Sequence, residues 1–77
     1  MENEKYFLSQ TLLENKSNKP LLIRSPDFPE INNQSLPVGF SGIMQFVYPI
    51  DLKLRKDSWI NNKGIPVVYL ELVDKDF

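Results

Sequence analysis

The sequence predicts an all-β domain, and three observations support this fold class. β-branched and aromatic residues are concentrated in short segments, most densely at residues 40–48. Asparagine, glycine and proline residues separate these segments, as is typical of turns between strands. The chain has 77 residues, which is enough for one small hydrophobic core but not for two. We therefore expect residues 1–77 to form a single domain.

The arrangement of the expected strands follows from their number. We count about five short antiparallel strands, and a flat sheet of that size would leave one face and two edges uncovered. Curling the sheet into a small, partly open barrel would cover the exposed face and bring the two edges together. We therefore expect a barrel of the SH3-like or OB-like kind.

The first segment, up to residue 14, is compatible with two secondary structures. As a strand it places two sets of side chains on opposite sides, namely Phe7, Ser9, Thr11 and Leu13 against Tyr6, Leu8, Gln10 and Leu12. We favour this strand, because the turn-like residues 15–19 and the apolar residues 21–23 would complete a hairpin. The spacing of Leu8 and Leu12 also permits an amphipathic helix. The alternative fold is therefore α+β, with residues 3–14 forming a helix on a four-stranded sheet.

Residues 25–37 are expected to form a proline-rich loop. Pro26, Pro29 and Pro37 lack backbone donors and restrict the residues that precede them. A loop of this length in a small domain is usually functional or flexible. Phe28 lies within it, and either anchors the loop to the core or forms an exposed binding element.

The second half of the chain has the clearest strand patterns. In residues 40–48 one face carries four large apolar side chains, namely Phe40, Met44, Phe46 and Tyr48. Pro49 interrupts the ladder and predicts a bend. Leu52 and Leu54 then alternate with Lys53 and Arg55, as in a strand with one solvated face.

A hairpin is expected at the end of the sequence. Residues 61–64, Asn-Asn-Lys-Gly, favour a turn because asparagine and glycine accept positive φ angles. In the strand that follows, Val68, Leu70 and Leu72 would face the core, with Val67, Tyr69 and Glu71 opposite. Residues 74–77 are polar or terminal, and we expect them to fray.

The absence of two residue types bears directly on function. The sequence contains no histidine and no cysteine, the side chains most often used as general base, nucleophile and transition-metal ligand. The serines therefore lack a histidine that would activate them. We expect a protein that is not an enzyme, with no catalytic residues, no metal site and no cofactor.

The net charge and the first residues of the sequence bear on the expected partners and location. The formal net charge is -1, so no global field attracts the protein to nucleic acid or to an anionic membrane. The first residues are acidic and no apolar segment follows them, unlike a secretory signal. We expect a cytoplasmic protein, and the abundance of Asn, Lys, Ile and Leu is typical of bacterial or phage coding sequences.

These features favour a protein-binding module, such as an inhibitor, an adaptor or an accessory subunit that occupies a surface of a larger protein. The aromatic side chains are too many to bury together in so small a domain, and Trp, Tyr and Arg are the residues that most often anchor interfaces. The candidate partner-binding residues are Trp59, Tyr69, Phe28, Tyr48, Arg55 and Lys53. The expected partner is a larger protein, and self-association into a homo-oligomer is a further possibility.

The alternative function is binding of single-stranded nucleic acid by a small barrel. Such barrels combine a basic groove with aromatic side chains on which bases stack. The residues that would do this here are Lys53, Arg55 and Lys56 with Phe46, Tyr48 and Trp59. Acidic residues are interleaved with these cations, which weakens attraction for phosphates.

Overall fold

The computed structural model describes residues 5–77 and contains six β-strands. Their bounds are β1, Tyr6–Glu14; β2, Leu21–Arg24; β3, Ser35–Leu36; β4, Ser41–Pro49; β5, Leu52–Ile60; and β6, Pro66–Asp74. The described part of the chain contains no helix, so the all-β class is confirmed. The α+β alternative is wrong over residues 5–14, and the remainder of its expected helix, residues 3 and 4, lies outside the described residues.

The strands form two sheets. β1 and β4 make a two-stranded antiparallel sheet, which we call the ribbon. The other four strands make the main sheet, in the order β3-β2-β6-β5, where β2 and β6 are parallel and the other pairs antiparallel. Because no ladder joins the two sheets within residues 5–77, an SH3-like or OB-like barrel is not confirmed.

The expected hairpin between β1 and β2 is wrong, and Asn15 explains why. Its side chain is buried and its Nδ2 donates to the carbonyls of Lys19, Leu36 and Pro37 at 2.8, 3.1 and 3.2 Å. Its backbone N–H donates to Phe40 O at 2.9 Å, which continues the ladder between β1 and β4. The bonds to Leu36 and Pro37 tie residues 15–19 to the connection between β3 and β4, and β2 pairs with β3 and β6 instead of β1.

The core lies between the inner faces of the two sheets. Its buried members are Leu13, Leu21, Ile23, Leu36, Phe46, Tyr48, Val68 and Leu70. Phe40, Met44 and Leu72 pack against this cluster while partly exposed. The predicted core faces of β4 and β6 are therefore confirmed, because alternation placed the same side chains inward.

The hairpin between β5 and β6 is confirmed as well. Asn61 organises its loop: the side-chain Oδ1 accepts from the N–H groups of Lys63 and Ile65 at 2.9 and 3.0 Å. Gly64 has a φ of +77°, a left-handed conformation that glycine adopts without a Cβ clash. All nine residues of β5 then pair with β6, from Leu52 opposite Asp74 to Ile60 opposite Pro66.

The proline-rich loop is tied to both sheets. Phe28 packs its ring on Phe46, with centroids 4.9 Å apart, so it anchors the loop to the core. Asp27 Oδ2 accepts the backbone N–H of Leu72 at 2.8 Å, three residues beyond Tyr69, the last β6 residue that pairs with β2. The carboxylate therefore takes a hydrogen bond that a longer β2 would otherwise have made.

Candidate protein-binding surfaces

The outer face of the main sheet brings together two of the sequence-predicted site residues. Trp59 on β5 lies against Tyr69 on β6, with ring centroids 6.0 Å apart, and 47% of Trp59 is exposed. On the neighbouring strand β2, Leu22 and Arg24 stand opposite Val67 and Tyr69. The result is a small apolar patch around Trp59 that reaches solvent.

The predicted Arg55 and Lys53 lie on the same outer face, but their charges are engaged. Arg55 Nη2 lies 2.8 Å from Glu71 Oε2, and its Nη1 pairs with Asp57. The hydrogen bond to Glu71 is the largest cause that raises the pKa of Arg55 above its ordinary value. Lys53 Nζ donates to Phe77 O at 3.1 Å. Arg55 and Lys53 therefore both have partners within the protein.

The other two predicted residues lie elsewhere. Tyr48 is 5% exposed and belongs to the core. Phe28 is half-buried in the proline-rich loop and uses its ring against Phe46. Neither ring therefore lies on the outer face of the main sheet with Trp59.

The residues of the nucleic-acid alternative do not form one groove. Lys56 is on the opposite face of β5 from Lys53 and Arg55, because side chains alternate along a strand. Lys56 Nζ donates to Leu12 O at 3.2 Å. Phe46 is 4% exposed, so its ring is not available to a base. Cations and exposed aromatic rings are therefore not gathered in the way that such binding requires.

A second candidate surface is the outer face of the ribbon. Five of its large apolar side chains are between 50% and 63% exposed, namely Tyr6, Leu8, Leu12, Ile43 and Val47. They stand in cross-strand pairs: Leu8 is opposite Val47, and Leu12 is opposite Ile43. We call these five residues the apolar ribbon face. Gln10 and Gln45, which are also opposite each other, separate the two apolar pairs.

No charged side chain stands among these five residues or between them. The first charged side chain on this side of the ribbon is Glu14, at one end of β1, where Lys16 Nζ lies 3.5 Å from the carboxylate. Isolated apolar residues are normal on protein surfaces, whereas contiguous exposed apolar patches mark interaction sites. The ribbon is therefore the more apolar of the two candidate surfaces.

Sequence reasoning missed this surface, although it assigned the correct sides of β1. The predicted strand has Tyr6, Leu8 and Leu12 on one side and Phe7 and Leu13 on the other. The sequence did contain a signal for this surface, because both sides of β1 carry apolar side chains. A two-stranded sheet that packs on a core with one face buries only one of these sides and leaves the other exposed.

Comparison with known proteins gives no match: no family model, no curated protein and no solved structure is similar to this chain. Within residues 5–77, no helix has the length and apolar composition needed to cross a membrane. Function must therefore be argued from the surfaces themselves.

Proposed function

We propose that the protein is a non-catalytic protein-binding module, which acts in the cytoplasm as an inhibitor, adaptor or accessory subunit by occupying a surface of a larger protein. The observation that carries the proposal is the apolar ribbon face. Its five half-exposed side chains leave a substantial apolar area in water, and removing such area from water favours association.

The chemistry of the face suits the centre of a protein interface. Interface cores are depleted in charge and enriched in aromatic and apolar side chains, with polar groups at the rim. Tyr6 and the aliphatic pairs supply the apolar area, and Glu14 stands at its border. The amides of Gln10 and Gln45 can each donate and accept, so a partner's backbone can satisfy them on burial.

The patch around Trp59 is expected to make a smaller contribution to partner binding than the ribbon does. It offers one exposed indole beside Tyr69, but the surrounding charges of Arg55, Asp57 and Glu71 already satisfy one another. A partner that covered these groups would have to desolvate them without offering better bonds. We therefore expect most of the binding energy to come from the ribbon.

A pair of charge insertions tests this assignment. Leu8→Lys and Leu12→Lys each place a cation in the apolar ribbon face, where a partner would have to bury it unpaired. The protein and its variants, each carrying an affinity tag, capture partners from nuclease-treated lysate of the native host, and mass spectrometry quantifies them. We expect one stoichiometric protein, reduced about tenfold or more by either lysine variant.

Trp59→Ala is the matched control, since it removes an exposed apolar side chain from the other sheet. We expect it to change capture by about twofold or less. Capture that survives both lysine variants would overturn the assignment to the ribbon. Partners that are captured from untreated lysate but not from nuclease-treated lysate would favour the nucleic-acid alternative instead.

A further inference from the structure

The outer edge of β4 carries unpaired backbone groups. Phe40 O accepts from Asn15 N, and Ile50 N donates to Lys5 O, so the even-numbered residues of this strand bond to β1. In an antiparallel ladder the bonding direction alternates from one residue to the next. The N–H and C=O groups of Ile43, Gln45 and their odd-numbered neighbours therefore point away from β1, and no other strand within residues 5–77 pairs with them.

The other sheet edges are protected in ways that the β4 edge is not. β3 is two residues long, and β5 carries charged side chains along its length, including Lys53, Arg55 and Asp57. The β1 edge is contacted by Lys56, whose Nζ donates to Leu12 O. In contrast, the nine residues of β4, Ser-Gly-Ile-Met-Gln-Phe-Val-Tyr-Pro, include no charge, and proline stands only at the end. Charges and interior prolines are the usual means by which proteins prevent strand addition.

We propose that a second copy of this chain pairs with β4 along this edge, in antiparallel orientation about a two-fold axis that passes through Gln45. The two ribbons then form one four-stranded sheet, in the order β1-β4-β4-β1. Gln45 stands opposite Gln45 of the second copy, and Ile43 stands opposite its Val47. This alignment overlaps the whole of both β4 strands.

The side-chain pattern explains why the occupant is a second copy. Ile43 and Val47 lie two residues on either side of Gln45, so the outer face of β4 has the same polarity in both directions. Leu8 and Leu12 flank Gln10 in the same way on β1. In the four-stranded sheet these residues form two apolar rows on either side of a row of four glutamines.

The side chains that this register brings together in each row are compatible with one another. A glutamine amide both donates and accepts, so Gln45 can bond to Gln45 across the axis. Opposed β-branched side chains such as Ile43 and Val47 are favourable cross-strand pairs. No like charges stand opposite each other. The proposal goes beyond the proposed function, because it does not depend on which larger protein binds, and it joins two apolar ribbon faces into one surface.

Disulfide capture tests the register, since the chain has no native cysteine. In Gln45→Cys the two Cα atoms would be about 5.5 Å apart, as in a hydrogen-bonded antiparallel pair, which a disulfide can span. In the controls Ile43→Cys and Val47→Cys, each position would be about 14 Å from its own copy. We expect a covalent dimer from Gln45→Cys and little from the controls. Equal capture at all three positions, or none at position 45, would overturn the proposal.

A pair of proline variants tests the edge without adding a covalent bond. Gln45→Pro removes an N–H that points away from β1, so the ladder within the ribbon is retained. Gln10→Pro is the matched control, because its N–H points out of the opposite edge of the ribbon. In sedimentation equilibrium from about 1 to about 500 μM, we expect a monomer–dimer equilibrium in which Gln45→Pro raises the dissociation constant about tenfold or more. Gln10→Pro should change it by about threefold or less.

The outcomes separate this proposal from the proposed function. A protein that is monomeric throughout this range, or a dimer that Gln45→Pro leaves unchanged, overturns the pairing of β4. Neither outcome affects capture of a larger protein by the apolar ribbon face. Conversely, Leu8→Lys and Leu12→Lys leave the outward backbone groups of β4 in place, so loss of capture with an intact dimer would count against the proposed function alone.

Discussion

The ribbon and the main sheet contain similarly apolar strands but differ in how their outer faces are covered. β6, at the centre of the main sheet, buries Leu70 on its inner face and leaves only 3% of Val67 exposed on its outer face. β4, in the ribbon, buries Phe46 on its inner face, yet Ile43 and Val47 on its outer face are 63% and 58% exposed.

The number of neighbouring strands accounts for much of this difference. β6 has β2 on one side and β5 on the other, so large side chains such as Trp59 and Leu22 flank Val67. β4 has only β1 beside it. Apolar composition therefore does not tell which strand face is covered, and the less covered sheet provides the candidate binding surface.

The largest expected effect comes from shortening one leucine in each region. Leu70→Ala removes a fully buried side chain from β6 and leaves a cavity, so we expect it to lower the free energy of unfolding by about 3 kcal/mol. Leu12→Ala, at a position 50% exposed on the ribbon, should cost about 1 kcal/mol or less. Urea denaturation followed by tryptophan fluorescence measures both. Similar losses from the two variants would mean that the apolar ribbon face is covered in solution.

An intermediate effect is expected where the two regions meet. Asn15→Ala removes side-chain bonds to the carbonyls of Lys19, Leu36 and Pro37, and we expect it to cost about 2 kcal/mol because these acceptors lose a buried donor. Asn18→Ala, an exposed asparagine in the same loop, is the control and should cost about 0.5 kcal/mol or less. The same denaturation experiment measures this pair, and equal costs would show that Asn15 does not hold the junction.

The smallest effect concerns alkaline pH and the outer face of the main sheet. Burial, followed by a hydrogen bond from the Tyr69 hydroxyl to Glu71 at 3.2 Å, raises the pKa of Tyr69 above the ordinary 10.0. The native protein therefore holds this proton more tightly than the unfolded chain does. The associated stability is present below pH 10 and is lost as the pH rises through the native pKa.

Tyr69→Phe has no proton to lose at this position, so its free energy of unfolding should fall less steeply than that of the wild type above pH 10. Denaturation curves collected at intervals between about pH 8 and pH 11 check this expectation. Parallel pH profiles for the two proteins would show that the hydroxyl of Tyr69 has the same affinity for its proton in both states.

Local patterns in the sequence predicted much of the secondary structure. Alternation identified the inward residues of β4, such as Phe46 and Tyr48, and those of β6, such as Val68 and Leu70. Turn chemistry located the loop organised by Asn61. These features depend on residues close together in the sequence, where side-chain direction and turn preference act directly.

Strand pairing was not predictable in the same way. Residues 15–19 have the composition of a tight turn, but Asn15 bonds to carbonyls more than twenty residues away. Two of the residues predicted to bind a partner, Trp59 and Tyr69, lie together on a solvent-facing sheet surface, and their role in binding stays a prediction. The apolar ribbon face was missed because its exposure depends on which strands stand beside β4, and that is decided by distant pairings.

The parallel pairing of β2 with β6 has a consequence for the order of folding. Ile23 stands opposite Val68, about 45 residues further along the chain, so this ladder can form only after a long loop is closed. The hairpin of β5 and β6 closes over a short loop and can form early, as a template on which β2 adds. During synthesis on the ribosome, β2 can pair with β3 soon after both have emerged, but its other edge has no partner until β6 has emerged, so the main sheet is completed late.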